Sequence, residues 1–288
     1  MAFVCAAARA RASPYGSRAL DGDATRRVRH NAGVTASRPF FRKRASLFPP
    51  VIGCDEVGRG ALCGPVVVCA VWFEPERLPK GLLGRLDDSK RIDAAERELL
   101  YPAIARAGHI SFAARSARHI DVHNIRQATL QAMHQAVIRL ALDAPVRIDG
   151  IDVPRGLPGD ARAVVKGDAT VPQIAAASIM AKVLRDRLMT RLAQRHRAYR
   201  WESNAGYGTR AHRDAIVAHG HTRHHRRSFG DLFAMLAQEG GASAVQVVPE
   251  RQDDPSHPPF VSSEVETQAL SVALVAHPST SLGTSGGK

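Results

Sequence analysis

Cysteine and aromatic residues are scarce in this chain: four cysteines among 288 residues, with Phe, Trp and Tyr together at 5%. Cys5, Cys54, Cys63 and Cys69 form no C-x-x-C pair, and three of them sit in an apolar stretch. That excludes a disulfide framework and points to buried free thiols in a reducing compartment, so the expected location is cytoplasmic. No run approaches the ~18 apolar residues of a membrane span, and no membrane partner is expected. Acids are nearly missing from residues 1–50, where nine Arg and Lys43 face only Asp21 and Asp23. Residues 240–288 reverse the balance, with Arg251 and Lys288 against five acids.

The chain carries a formal net charge of +13; residues 1–50 contribute +8 and residues 240–288 contribute −3, so the middle keeps +8 and is basic in its own right. A basic domain suggests a polyanionic partner, because phosphate contacts and counterion release reward clustered Arg and Lys. Residues 1–46 read as a disordered Arg/Ala-rich extension, with a composition that also resembles an organelle transit peptide. Residues 47–239 read as the catalytic domain, and 240–288, rich in Ser, Pro, Val and Gly, as a disordered tail.

The middle alternates strand and helix patterns. Val51 to Glu56 is an apolar run ending in two acids, and Pro65 to Phe73 is a β-branched, buried strand. Ile110 to Ala117 predicts a third strand, and Asn124 to Leu142 a helix with one apolar face. Val146 to Gly150 and Ala163 to Val165 predict two short strands, the second ending at Lys166-Gly167-Asp168. Pro172 to His196 is Ala-rich and helical, with proline suited to the first turn. Shorter helices are expected near 210–219 and 229–238. The pattern is an α/β domain with helices packed on a mixed sheet.

Three strands are thus expected to end in carboxylates: Asp55-Glu56, Asp149 and Asp168. Acids gathered at one edge repel and raise each other's pKa, so a fold tolerates them only with a compensating cation. Mg²⁺ or Mn²⁺, hard ions that prefer oxygen, fit such a set and support phosphodiester hydrolysis. Adjacent strand residues point to opposite faces, so Asp55 and Glu56 share a site only if the strand ends or kinks there. Gly58-Arg59-Gly60 supplies a turn at that point.

Gly53-Cys54-Asp55-Glu56-Val57-Gly58-Arg59-Gly60, with Gly64-Pro65-Val66-Val67, resembles the opening motif of the ribonuclease HII family. Asp88-Ser89-Lys90, Ile148-Asp149-Gly150, Val165-Lys166-Gly167-Asp168 and the stretch from Ala175 to Asp186 follow in that family's order. Gly206-Tyr207-Gly208-Thr209, His212 and His224-His225-Arg226-Arg227-Ser228-Phe229 complete the set, which covers about residues 50–236. The resemblance implies a ribonuclease H-like mixed sheet flanked by helices, with a C-terminal helical extension. It implies incision 5′ of a ribonucleotide in an RNA/DNA hybrid or ribonucleotide-containing duplex DNA, by a two-metal-ion mechanism with Mn²⁺ or Mg²⁺. Asp55, Glu56, Asp149 and Asp168 would be the catalytic metal ligands. Gly58, Arg59, Gly60 and Tyr207 would sense the ribose 2′-hydroxyl, the group that separates RNA from DNA. Lys166 and Ser178 are further candidates for substrate binding. A monomer is the expected state, and a DNA sliding clamp the candidate protein partner. Where the family often has His-Lys-Gly-Tyr, this chain has Asn204-Ala205-Gly206-Tyr207, which removes a candidate phosphate contact.

Several residues admit plainer readings. Asp186 reads as a structural ion pair or cap, and Asp88-Ser89-Lys90 as a turn that supports the site. Lys166 and Lys182 divide between a phosphate contact and an ion pair with the acids. Ser178 sits in an Ala-rich helix, where a small residue also serves packing. His219, His221, His224 and His225 match no zinc spacing and read as a solvated or phosphate-facing basic segment. Two other functions compete. Ribonuclease HIII shares the fold but usually carries an extra N-terminal domain and lacks the arginine between the two glycines. A catalytically silent nucleic-acid binder would use the basic middle equally well, yet has no use for converging acids.

Overall fold

The computed structural model describes residues 48–79 and 81–229. Residues 1–46, residues 240–288 and the helix expected near 229–238 (beyond Phe229) lie outside these. Five strands form one sheet: β1 (Ile52–Val57), β2 (Val66–Trp72), β3 (His109–Arg115), β4 (Val146–Asp149) and β5 (Ala161–Val164), in the order β3-β2-β1-β4-β5. β1 pairs antiparallel with β2, and β2 with β3; β4 runs parallel to β1, and β5 parallel to β4. The helices are α1 (Ala94–Ala107), α2 (Ala117–Leu140), α3 (Pro172–Arg195), α4 (Trp201–Asn204) and α5 (Arg210–His219). Among the described residues no helix is long and apolar enough to cross a membrane.

The period of β2 divides the core into two layers. Cys69 and Val71 pack with α1 and α3; Val68 and Ala70 pack with α2. Ile52 and Ile148, fully buried, extend the α2 layer, each side chain contributing about 1.5–3 kcal/mol of burial. Asp55 follows Cys54 and therefore faces the α3 side. α3 rests almost directly on β1: a Cβ at Gly53 would lie 2.2 Å from the Gln173 carbonyl carbon. Ala175, Ala176 and Ala177 keep that helix slim enough to be buried on every side.

The expected strands and long helices form, with four differences. α1 was not foreseen; its Asp93 cap accepts from the Glu96 amide, but Pro102 interrupts its pattern. β3 stops at Arg115 because the Ser116 hydroxyl accepts from the His119 amide and starts α2. The helix expected from Asn124 is the second half of α2: Asn124 breaks the run at φ 61, ψ 161, and its Oδ1 caps the Gln127 amide at 3.0 Å. Asp168 is not on a strand; it lies in a 3₁₀ turn, Gly167–Ala169, between β5 and α3.

Candidate active site

The parallel register sets the site. Cys54 on β1 lies opposite Ile148 on β4, so Asp55 and Asp149 follow side by side at the strand ends. Asp149 is the hub: its charge acts on Asp55, on Glu56 and on Asp168. The Gly167 amide donates to Asp149 Oδ1 at 2.7 Å, which draws the turn bearing Asp168 toward β4. β1 ends one residue after Glu56, so side chains from both faces reach the edge of the sheet. This answers the alternation difficulty without a kink.

Asp149 thus lies within electrostatic reach of each of the other three acids. Burial, then the charges of Glu56 and Asp149, hold the Asp55 carboxyl well above the usual range; bonds from Ser178 and the Glu56 amide pull it back. Burial also raises Glu56, against the opposing pull of Arg59, with Asp149 adding to the rise. Asp168 is raised by burial, by Asp149 and by Asp88, and lowered by Lys90. Glu56 Oε1 takes an ion pair from Arg59 at 3.4 Å, while Glu56 Oε2 is buried with no hydrogen-bond partner. An orphaned carboxylate oxygen among repelling acids fits a hard divalent cation, since the donors are all oxygen.

Beside the acids, residues 58–65 turn tightly. Gly58 has φ +89, and a Cβ there would lie 2.2 Å from Arg185 Nε. Two buried arginines, whose roles the motifs alone did not disclose, hold this turn by its carbonyls. Arg226 bonds the oxygens of Gly58 at 2.6 Å, Arg59 at 2.7 Å and Gly64 at 3.0 and 3.1 Å. Arg185 bonds Cys63, Pro65 and Ala205, and its guanidinium lies 5.5 Å from the Tyr207 ring centroid. Burial and the neighbouring Arg185 charge lower Arg226 to about 9. Through these contacts Tyr207 and the Gly58-Arg59-Gly60 turn share one support. Arg59, Gly60 and Tyr207 are exposed.

Ser178 is buried, at 7% exposure, and its hydroxyl meets Asp55 and Ser89. The Asp88-Ser89-Lys90 turn is thus tied through Ser178 to Asp55. Lys166 is exposed in left-handed conformation, φ 54, and forms no ion pair among the described residues. Lys182 pairs with Asp186 at 2.8 Å along α3.

Of the four histidines read as a solvated segment, His219 is exposed, His221 and His224 are half-buried, and His225 is buried. His225 is 2% exposed and His212 fully buried, packed against Tyr199 and Trp201. Cys63 joins them, with one ligand atom of each within 4.8 Å of the others. The Trp201 indole donates to His212 Nε2 at 3.0 Å, and His212 Nδ1 faces the Tyr207 carbonyl at 2.9 Å. The Thr222 amide donates to His225 Nδ1 at 2.9 Å, so its proton sits on Nε2, toward His212 Nε2 at 3.3 Å. Both ring lone pairs are engaged, which makes the cluster a hydrogen-bonded core and not a zinc site.

Comparison with known proteins identifies the family. The family model described as Ribonuclease HII matches residues 52–232. A ribonuclease HII of Cereibacter sphaeroides is 47% identical over 197 residues, covering 68% of this chain and 91% of the relative. One from Ruegeria pomeroyi is 49% identical over 191 residues, covering 66% and 80%. Among solved structures, the ribonuclease H2 of Pyrococcus horikoshii superposes with TM-score 0.56 at 22% identity, over 66% of this chain and 98% of that one. The RNase HII of Archaeoglobus fulgidus, solved in complex with PCNA, gives 0.52 at 24%, over 62% and 94%. Bst-RNase HIII, solved with Mn²⁺, gives 0.51 at 17%, over 66% and 70%. At these identities the structures speak for the fold, and the closer sequence relatives speak for the activity. The chain belongs to the ribonuclease HII family and is an endoribonuclease.

Proposed function

We propose that this chain hydrolyses the phosphodiester on the 5′ side of a ribonucleotide, in an RNA/DNA hybrid or embedded in duplex DNA, leaving a 3′-hydroxyl and a 5′-phosphate. The observation that carries the reading is the meeting of Asp55, Glu56 and Asp168 around Asp149, with Glu56 Oε2 left unpartnered. These four residues would hold Mg²⁺ or Mn²⁺. A bound pair of such ions supplies activation of the attacking water and stabilisation of the leaving oxygen.

The remaining roles belong to the chain's own groups. Ser178 and the Gly167 amide orient Asp55 and Asp149. The Gly58-Arg59-Gly60 backbone, held by Arg226, meets the ribose, and Tyr207 stacks beside it to read the 2′-hydroxyl. Lys166, exposed beside Asp168, approaches a phosphate. Ser178, buried as it is, acts by positioning Asp55 and not by touching substrate. The physiological settings we infer are RNA primer removal and ribonucleotide excision, in the cytoplasm, by a monomer. The likeness to the Archaeoglobus protein makes a sliding clamp the partner to test.

The deciding experiment maps the products from a duplex with one central ribonucleotide and from a long hybrid. A single cut 5′ of the lone ribonucleotide supports the reading. Cleavage of the long hybrid alone would move it to the ribonuclease HIII type, and salt-dependent binding with no product under any divalent ion would make the chain a binder.

A further inference from the structure

A groove of about 870 Å³ runs along α2. Its walls carry Arg115 from the end of β3, Arg126 and Arg139 from α2, Arg155 from the β4–β5 connection, His134 and three glutamines. No carboxylate lines it. It shares Arg126 and Leu130 with a smaller cavity lined by Arg59, Asp149 and Asp152, so the two are neighbours.

Four guanidiniums on one surface call for counter-charge, and only one has it. Asp152 holds Arg126 through two bonds, 2.9 and 2.6 Å. Arg115, Arg139 and Arg155 have no ion pair among the described residues. Arg115 donates to Ala114 O at 2.9 Å, to Gln135 Oε1 at 2.7 Å and to Gln131 O at 3.3 Å; Arg139 donates to Phe112 O at 3.2 Å. These acceptors fix the guanidinium planes and leave the charges uncompensated. Burial and the Arg139 charge push Arg115 down, a sign of like charges in proximity.

The dimensions indicate what compensates them. Arg126 and Arg139 are thirteen residues apart on a helix, about 20 Å at 1.5 Å per residue. Over that length one strand of a duplex presents roughly six phosphates. A small anion would fill a fraction of the groove. An acidic peptide would have no reason to continue into a cavity walled by Asp149.

We propose that this groove is a second binding surface for the substrate, taking the phosphodiester backbone of the duplex that flanks the cleaved position on Arg115, Arg139 and Arg155. The proposal rests on the nuclease reading of the Asp149 site and extends it to a longer footprint. Glutamines between the arginines add neutral donors for phosphate oxygens.

The test uses the full chain and two duplexes, each with one ribonucleotide. The short one covers the carboxylate site and a few base pairs on each side; the long one adds about 20 base pairs to both flanks. Arg139 and Arg155 are exposed, so the variants R139A/R155A and R139E/R155E should match wild type in Tm, which is checked first. Affinity is read by fluorescence anisotropy in EDTA over a salt series, and kcat/KM by incision with Mg²⁺ or Mn²⁺. Wild type should bind the long duplex more tightly than the short one. The alanine pair should lose tenfold or more of long-duplex affinity, and its log–log salt slope should fall by about 2. Its kcat/KM on the short duplex should stay within twofold of wild type. Long-duplex binding and salt slope equal to wild type in both variants overturn the proposal, as does an equal loss on both duplexes. Failure of wild type to incise either duplex would remove the nuclease reading instead, leaving the binding comparison to judge the groove.

Discussion

The side-chain oxygens of Ser89 and Ser178 lie 2.8 Å apart, and Ser178 in turn bonds Asp55. A loop remote in sequence is thereby tied to a carboxylate at the end of β1. Partners that orient a ligand typically change metal affinity or activity 10–100-fold when removed. Ser178→Ala should raise the Mg²⁺ or Mn²⁺ concentration for half-maximal incision by about tenfold, and Ser89→Ala by less. A metal titration of incision rate checks both. Unchanged half-saturation in Ser178→Ala would remove the positioning role.

Crowded carboxylates destabilise the metal-free protein. Asp149→Asn removes the hub charge and can keep the bond from the Gly167 amide, because an amide oxygen also accepts. Without divalent ion, this variant should unfold about 1 kcal/mol less readily than wild type, a rise of about 2–4 °C in Tm. With divalent ion at 100 times its Kd, wild type should gain about 2.7 kcal/mol and the variant much less. Calorimetry with and without Mg²⁺ measures both differences, and a wild type indifferent to Mg²⁺ would contradict them.

The histidine core sets an acid limit. Burial, with neighbouring positive groups, holds His224 at about 4 and His225 at about 3, below the ordinary 6.5. Between those values the unfolded chain binds more protons than the folded one, so stability is complete above about 6.5 and declines as pH falls. Asp55, Glu56 and Asp168 are raised and act in the opposite sense: the folded form takes their protons first, so their contribution falls as pH rises above the unfolded carboxylate range. Saturating Mg²⁺ keeps these acids ionised and isolates the histidine effect. Urea unfolding in Mg²⁺ should then lose up to about 1.4 kcal/mol per pH unit for His225 between pH 6.5 and 5. A flat or rising profile would contradict the buried, neutral rings.

Arg226 supports the turn that meets the ribose. Arg226→Gln leaves the Gly58, Arg59 and Gly64 carbonyls short of donors in a buried place. Each lost charged hydrogen bond is worth about 1.5–3 kcal/mol, so a loss of at least 3 kcal/mol in unfolding free energy is expected. Arg226→Lys keeps the charge but not the fork, and should fold while discriminating less between ribose and deoxyribose. Ratios of kcat/KM on matched substrates test this, and full discrimination in the lysine variant would show that the fork is dispensable.

The residues differ in how openly the sequence displays them. Asp55, Asp149 and the strands beneath them were legible because β-branched runs such as Val66 to Val68 have one reading, and because acids after apolar runs mark strand ends. Asp168 was found but misplaced on a strand, since a single 3₁₀ turn has no pattern of its own. Helix α1 was missed because Pro102 breaks a weak pattern, although Asp93 and Glu96 formed a capping signal. Arg185, Arg226 and His225 were legible only as motif members: arginine and histidine read as surface residues until folding brings carbonyls and rings around them. The charge groove on α2 was equally hidden, because Arg115, Arg139 and Arg155 come together from three elements.

The most direct test of the account is incision of one duplex bearing a single embedded ribonucleotide, by wild type and Asp149→Asn in parallel, with Mg²⁺, with Mn²⁺ and with chelator. The account predicts one cut 5′ of the ribonucleotide by wild type only when a divalent ion is present, none in the all-DNA control, and none by Asp149→Asn. Unchanged turnover in Asp149→Asn, or cutting that survives the chelator, would contradict it.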